Sequence, residues 1–118
     1  MTRRRAEALT GYEIRCTKAT PPRRGFICAA YEGERLVAEY AHADRDLALT
    51  GLVTAIYRQN SQQVFEHYGW RCARCGRVSA LQIHHRKFRS HGGGHRLENL
   101  EPVCWPCHDR IHKFERSK

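Results

Sequence analysis

Hydrophobic and polar residues alternate along the first forty residues, and the apolar spacing then becomes helical. Three segments have the alternation of strands: residues 12–17, 26–31 and 35–40. The second and third form a predicted hairpin about the turn at 32–34. Asp44 or Asp46 is placed to cap a helix whose apolar side chains form one stripe. The members of that stripe are Leu47, Leu49, Leu52, Val53, Ile56 and Tyr57.

The helical spacing continues past the polar segment 59–63, and Gly69 is placed to end the helix. Beyond Gly69 the sequence changes abruptly to one rich in cysteine and histidine. We therefore divide the chain into a β-β-β-α appendage of unknown role, residues 1–62, and a second module, residues 63–118. The predicted fold class is α+β.

Four cysteines form two pairs with the spacing of metal-binding knuckles. The pairs are Cys72 with Cys75 and Cys104 with Cys107, and 28 residues separate them. Four thiolates complete a tetrahedral zinc shell and leave no position for water, so such a zinc is structural. Four buried thiols, or one redox-active pair, are the alternatives. Two pairs on either side of a histidine-rich segment favour zinc.

Seven of the eight histidines lie in the second half of the chain. His84 and His85 are adjacent on a predicted strand, so their side chains point to opposite faces. Pro106 suits the first turn of a helix, which places His108 and His112 one turn apart on one face. With His84 from the strand, three imidazoles would bind a cation and leave positions open for water and phosphate. That is the arrangement of a catalytic site.

The order of these residues resembles a known family, the HNH endonucleases, in their variety with a four-cysteine zinc site. The elements shared are His84-His85, a glycine-rich turn, Asn99-Leu100 and Cys104-x-x-Cys107-His108. The resemblance covers residues 70–114 and does not reach the first half of the chain.

The resemblance implies a role for each matching residue. His84 matches a metal ligand, His85 the general base, and Asn99 the residue that braces the loop and orients that base. His108 matches the second metal ligand. His112 matches a third ligand that only some members of the family have.

The resemblance also implies a fold and an activity. The fold is a treble-clef-like ββα-metal module, built from the strand of His84, its hairpin partner and the C-terminal helix. The activity is metal-dependent hydrolysis of DNA, with His85 activating water and with 5′-phosphate and 3′-hydroxyl products. The expected ions are a structural Zn²⁺ and a catalytic Mg²⁺, or Mn²⁺, Ni²⁺ or Zn²⁺ in its place. His91 and His95 flank the glycines and are expected to be solvated loop residues.

Charge agrees with a polyanionic partner. The formal net charge is +9, and residues 61–118 carry 11 basic and 5 acidic side chains. Such a surface attracts nucleic acid, although solubility alone is the alternative explanation. Arg86, Lys87 and Arg89 are predicted to contact phosphates, which positions DNA without reading its sequence. We expect DNA as partner, and a monomer or a homodimer.

Two other functions fit parts of the pattern. One is a non-catalytic zinc-finger DNA-binding protein, and the other is an RNA-directed nuclease that binds RNA through the first half. The β-β-β-α order is similar to double-stranded RNA-binding and antitoxin-like folds, and no motif selects among them. No apolar run approaches the roughly 20 residues of a membrane span, and no secretory signal is recognised. We expect a soluble, cytoplasmic protein without a membrane partner.

Structural roles are expected for five further features. Trp70 and Trp105 are predicted to pack around the cysteine knuckles. Cys16 and Cys28 are expected to be separate buried thiols, since a disulfide is unusual in a reducing compartment. The basic segment 3–5 is expected to be a frayed tail.

Overall fold

The computed structural model describes residues 1–88 and 93–116, with side chains through residue 114. The chain forms two compact units. The N-terminal unit is Met1–Gln59 with Gly94–Arg96, and the C-terminal unit is Asn60–Gly93 with Leu97–Lys118. The predictions for Arg89 and His91 concern residues outside the described ranges.

The N-terminal unit contains the three predicted strands and the predicted hairpin. Its elements are α1 (Arg3–Thr10), β1 (Glu13–Lys18), β2 (Phe26–Glu32), β3 (Arg35–His42) and the start of α2 (Arg45–His67). The sheet has the order β1-β2-β3 and is antiparallel throughout. One side of the sheet contributes to an apolar core around Ile14, Leu52 and Ile56.

Helix α1 is the element that the sequence analysis missed. It begins at Arg3 because the hydroxyl of Thr2 accepts a hydrogen bond from the Arg5 N–H at 3.1 Å. It ends at Gly11, which has the left-handed φ of 79° that glycine tolerates. The frayed tail was therefore a wrong prediction. Burial of Ala6 and Leu9 in the core stabilises a segment too short to form a helix alone.

The disulfide between Cys16 and Cys28 also departs from expectation. These residues are direct partners in the antiparallel ladder of β1 and β2. Their Cα atoms are 4.2 Å apart, and the two sulfurs are bonded. The expectation of separate thiols was wrong because the register of the strands, which the sequence alone does not fix, brings the side chains together.

His95 is buried rather than solvated, with 5% of its surface exposed. Its backbone N–H donates to the Leu9 carbonyl at 2.7 Å, and its ring lies 4.6 Å from that of Tyr57. The short segment Gly94–Arg96 thus packs within the N-terminal unit although it follows the histidine pair in sequence.

Helix α2 is continuous past the predicted boundary at residue 62. Asp44 caps it, since its carboxylate accepts from the Leu47 N–H at 3.0 Å. At the other end, the N–H of Gly69 donates to the carbonyl of Glu66. The N–H of Trp70 donates to the carbonyl of Phe65, and their rings stack at 4.8 Å. This pair of bonds and the ring contact form a Schellman motif, which accounts for Gly69 with φ 67°.

The C-terminal unit contains the predicted strand, hairpin partner and helix. Its elements after α2 are β4 (Leu81–His85), a 3-10 turn (Leu97–Asn99), β5 (Leu100–Cys104) and α3 (Trp105–Arg116). Strands β4 and β5 are antiparallel, with His84 opposite Glu101 and His85 opposite Leu100. The α+β class is confirmed. None of the helices that the structure describes is long and apolar enough to cross a membrane.

Candidate active site

The four knuckle cysteines converge from two distant parts of the chain. Cys72 and Cys75 lie in the turn after α2, Cys104 ends β5, and Cys107 lies in the first turn of α3. Their sulfurs all lie within 4.8 Å of one another, and the Cys75 and Cys104 sulfurs are 3.6 Å apart. A tetrahedron with Zn–S bonds of about 2.3 Å has edges of about 3.8 Å. The donor set therefore fits zinc.

The backbone of the first knuckle forms the tight turn that this site needs. The Cys72 N–H donates to the Arg77 carbonyl at 2.8 Å, and the Gly76 N–H donates to the Cys72 carbonyl at 3.0 Å. Gly76 has a φ of 79°, which a side chain would strain. The Arg74 N–H points at the Cys72 sulfur at 3.4 Å. The backbone of this turn therefore stabilises a thiolate.

The sulfurs strongly influence one another's ionisation. Burial alone would raise the pKa of Cys72, but backbone N–H groups of Cys104, Cys75 and Arg74 stabilise its thiolate and lower the pKa to about 6. The pKa of Cys107 is raised to about 12, first by the hydrogen bond with Cys104 and then by burial. The thiolate of Cys72 is favoured, whereas ionisation of Cys107 requires a cation to offset the added charge.

Three histidines form a second cluster. His84 lies on β4 with 3% of its surface exposed, whereas His108 and His112 lie one turn apart on α3. The ligand nitrogens all lie within 4.8 Å of one another, and the two Nε2 atoms on α3 are 3.1 Å apart. Nitrogen ligands at about 2.0 Å from a tetrahedral ion are about 3.3 Å apart. Three imidazoles so placed fit one divalent cation and leave it open to further ligands.

The lowered pKa values of two of these histidines favour metal binding. Burial lowers the pKa of His84, and the neighbouring His108 and His112 lower it further, against an opposing contribution from Glu101. Burial also lowers the pKa of His108, followed by the effect of His112. Neutral imidazoles present the lone pairs that a cation needs.

Phe88 holds the rings of this cluster in place. It stacks on His112 with ring centroids 4.7 Å apart and meets His84 edge to face at 5.6 Å. The sequence analysis missed Phe88. Its only signal was an aromatic residue within a run of basic ones, which did not distinguish packing from solvent exposure.

Asn99 forms hydrogen bonds with the backbone two residues after His85. Its side-chain oxygen accepts from the Lys87 N–H at 2.8 Å, and its amide donates to the Lys87 carbonyl at 3.2 Å. The Arg86 N–H also donates to the Asn99 carbonyl at 2.8 Å. His85 itself is half-buried at the end of β4 and lies outside the three-histidine cluster. The Lys87 side chain is exposed.

A buried carboxylate organises two arginines next to the histidines. The side chain of Glu101 is 6% exposed and lies 2.7 Å from the Arg74 guanidinium and 3.6 Å from that of Arg86. A cavity of 360 Å³ lies beside this group, and we call it the arginine cavity. It is lined by Arg74, His84, Arg86, Phe88, Arg110, Ile111 and Phe114.

Comparison with known families accounts for this arrangement. A family model described as HNH endonuclease matches residues 72–114. The match covers 43 of the 118 residues, so it identifies an HNH-like segment within the C-terminal unit, which we call the HNH module. The match spans both cysteine pairs and the three clustered histidines, and it indicates a nuclease module that acts on nucleic acid. No curated protein and no solved structure matches the chain.

Among the arginines of the HNH module, sequence reasoning identified Arg86 but missed Arg74 and Arg110 as residues of the cavity. Arg74 lies inside the cysteine knuckle, where it resembles any solvent-exposed turn residue. Only the contact with Glu101, 27 positions away, sets it apart. Long-range pairs of this kind leave no local pattern in a sequence.

The tryptophans of the HNH module and its flank do not pack as expected. Trp105 is 59% exposed at the first position of α3. Trp70 is 48% exposed and stacks on Phe65 rather than on the cysteines. The prediction of packing around the knuckles was therefore wrong. Each ring is directed outward by its place at a helix end.

We expect removal of zinc to unfold the HNH module. The buried cluster around the cysteines is small, so metal binding supplies much of the folding free energy. A strong chelator should change the intensity of the tryptophan fluorescence, since Trp105 directly follows Cys104 in sequence. Circular dichroism should fall at the same chelator concentration, and added Zn²⁺ should restore both signals.

Two variants, one for each cluster, test whether zinc has this structural role: Cys75→Ser and His112→Ala. The serine variant should behave as the chelated protein, whereas the alanine variant should retain the fold because it lacks only a ligand of the open cluster. Unchanged fluorescence and dichroism after verified loss of zinc would refute the structural role.

Proposed function

We propose that the protein is a metal-dependent DNA endonuclease that hydrolyses phosphodiester bonds with His85 as general base. The observation that carries this proposal is the convergence of three imidazoles beside the arginine cavity. A zinc-finger protein that only binds DNA has no need of a second, open cluster of metal ligands. The HNH match supplies independent support.

The chemical step follows from the positions proposed for these residues. His85 takes a proton from a water in line with the phosphorus as the new P–O bond forms and the bond to the 3′ oxygen breaks. A divalent cation held by His84, His108 and His112 would stabilise charge on the phosphate and the leaving oxygen. The products are a 5′-phosphate and a 3′-hydroxyl.

Asn99 supports the base from the 3-10 turn that leads into β5. Its two hydrogen bonds to the backbone of Lys87 hold the chain two residues beyond His85. A fixed backbone there limits the rotation available to the His85 ring, so fewer conformations must be lost to reach the reactive geometry. Asn99 is thus a positioning residue in this proposal.

Arg74 and Arg86 are proposed to bind phosphates on either side of the one that is cut. Glu101 accepts from Nε and one terminal nitrogen of Arg74 and forms an ion pair with Arg86 at 3.6 Å, and both guanidinium groups line the cavity. A buried carboxylate also offsets part of the positive charge that two adjacent arginines create. Lys87, which is exposed, would add a peripheral phosphate contact.

Substitution of His85 tests the general-base role. Plasmid DNA incubated with Mg²⁺, Mn²⁺ or Ni²⁺ should be nicked by the native protein, and His85→Ala should reduce the rate by about 10²–10⁴-fold. His42→Ala, which removes an exposed imidazole of the N-terminal unit, is the matched control and should keep full activity.

Equal nicking by the native and His85→Ala proteins would exclude His85 as the base. DNA binding without cleavage by either would favour the zinc-finger alternative. Faster cleavage of RNA in the same assay would favour the RNA-directed nuclease. One catalytic cluster per chain implies nicking by a monomer, and double-strand breaks would indicate a homodimer.

Substitution of Arg74 tests the phosphate contact. We expect Arg74→Ala to weaken DNA binding for all sequences alike and to reduce the slope of log affinity against log salt by about 0.9. Arg77→Ala removes the same charge from the same knuckle but outside the cavity lining, and it should change the slope less. Identical slopes for the two variants would show that Arg74 acts only through net charge.

A further inference from the structure

A second cavity lies within the C-terminal unit, and we call it the side cleft. It has a volume of 530 Å³, which lies in the range of small-ligand sites. Its lining comes from the end of α2, the turn after β4 and the segment that leads into β5. The residues are Gln63, Val64, His67, Tyr68, Arg86, Leu97, Glu98 and Leu100.

The walls of the side cleft combine apolar surface with a few polar groups. Val64 and Leu100 are buried and provide apolar surface, and the partly exposed Leu97 extends it. Gln63 and Glu98 are exposed members of the lining and offer an amide and a carboxylate. A flat ligand with apolar faces and a polar edge fits such a lining.

The side cleft adjoins the catalytic centre through Arg86. This residue lines both the side cleft and the arginine cavity. One of its guanidinium nitrogens donates to the Tyr68 hydroxyl at 2.9 Å, and another faces Glu101. Leu100, which lines the cleft, is the strand partner of His85. A nucleotide whose phosphate contacts Arg86 would therefore have its base within reach of the cleft.

We propose that the side cleft binds one unpaired nucleobase of the substrate, next to the phosphate that is cut, and that Glu98 selects bases with amino groups. This inference rests on the proposed nuclease function and adds a specificity subsite to it. The subsite and the arginine cavity, which His84 lines, share Arg86.

The carboxylate of Glu98 determines which bases fit. Guanine presents adjacent N–H donors on its pairing edge and can make two bonds to a carboxylate, whereas cytosine and adenine each present one amino group and can make one. Thymine has carbonyl oxygens on both sides of its single donor, and these repel a carboxylate. In a duplex this edge is already paired, so the cleft would accept a base from single-stranded or locally opened nucleic acid.

Cleavage of a randomised single-stranded oligonucleotide tests the subsite. Sequencing the cut ends should show guanine, and to a lesser degree cytosine and adenine, enriched over thymine at one position within two nucleotides of the cut. Glu98→Gln should lower the guanine enrichment about tenfold, since a good bidentate contact discriminates between bases by roughly 5- to 150-fold. Glu66→Gln removes the same charge from α2 outside the cleft lining and should leave the profile unchanged.

A binding measurement separates this proposal from the proposed function. Full-length His85→Ala protein with zinc bound is titrated against fluorescent oligothymidine with and without one central guanine. The guanine should tighten binding about tenfold, and Glu98→Gln added to His85→Ala should abolish the difference. Because Glu98 is exposed, this substitution should leave the fold intact, and circular dichroism checks that it does.

The outcomes are distinct. Base-dependent binding without cleavage by the native protein would support the subsite and reject the nuclease function. Cleavage with a flat base profile, or a profile that Glu98→Gln leaves intact, would overturn the subsite and retain the nuclease. Equal binding of both oligonucleotides would also overturn it.

Discussion

The convergence of four cysteine sulfurs, a donor set that fits one zinc ion, is the constraint on which the rest of the C-terminal unit depends. The buried cluster there contains Val103 and three of the four cysteines, with Leu81 and Ile111 packed against it. So little apolar surface cannot offset the entropy of ordering the chain. A zinc ion would join the turn after α2 to the junction of β5 and α3. Cys104 is the last residue of β5, and Cys107 lies in the first turn of α3. An ion bound by both would therefore fix the direction in which α3 leaves the sheet.

The direction of α3 in turn determines the open cluster. His108 follows Cys107 directly, and His112 lies one turn later, so both imidazoles are positioned by the structural site. The first knuckle also contributes Arg74, which Glu101 holds toward the arginine cavity. The four-cysteine cluster thus positions His108, His112 and Arg74.

The clustering of the cysteines and histidines could be predicted from local spacing. Features that depend on strand register or on long-range packing could not. The i, i+4 pair of His108 and His112 could be placed on one helix face because helical geometry depends only on nearby residues. The bond between Cys16 and Cys28 depends on the register of two strands, which the alternation of side chains does not specify. The burial of His95 depends on a segment that returns to the N-terminal unit, and no local pattern marks that return.

The central claim is that the module holds two metal sites of different chemistry, and X-ray absorption tests it most directly. Native protein and the His84→Ala variant, each loaded with one equivalent of zinc, would be measured at the zinc edge, and then at the nickel edge after addition of one equivalent of Ni²⁺. The account predicts zinc with four sulfurs at about 2.3 Å in both proteins. It also predicts nickel bound through imidazole nitrogen in the native protein and at least tenfold weaker binding in the variant. Nitrogen in the zinc shell, or equal nickel binding by the two proteins, would contradict it.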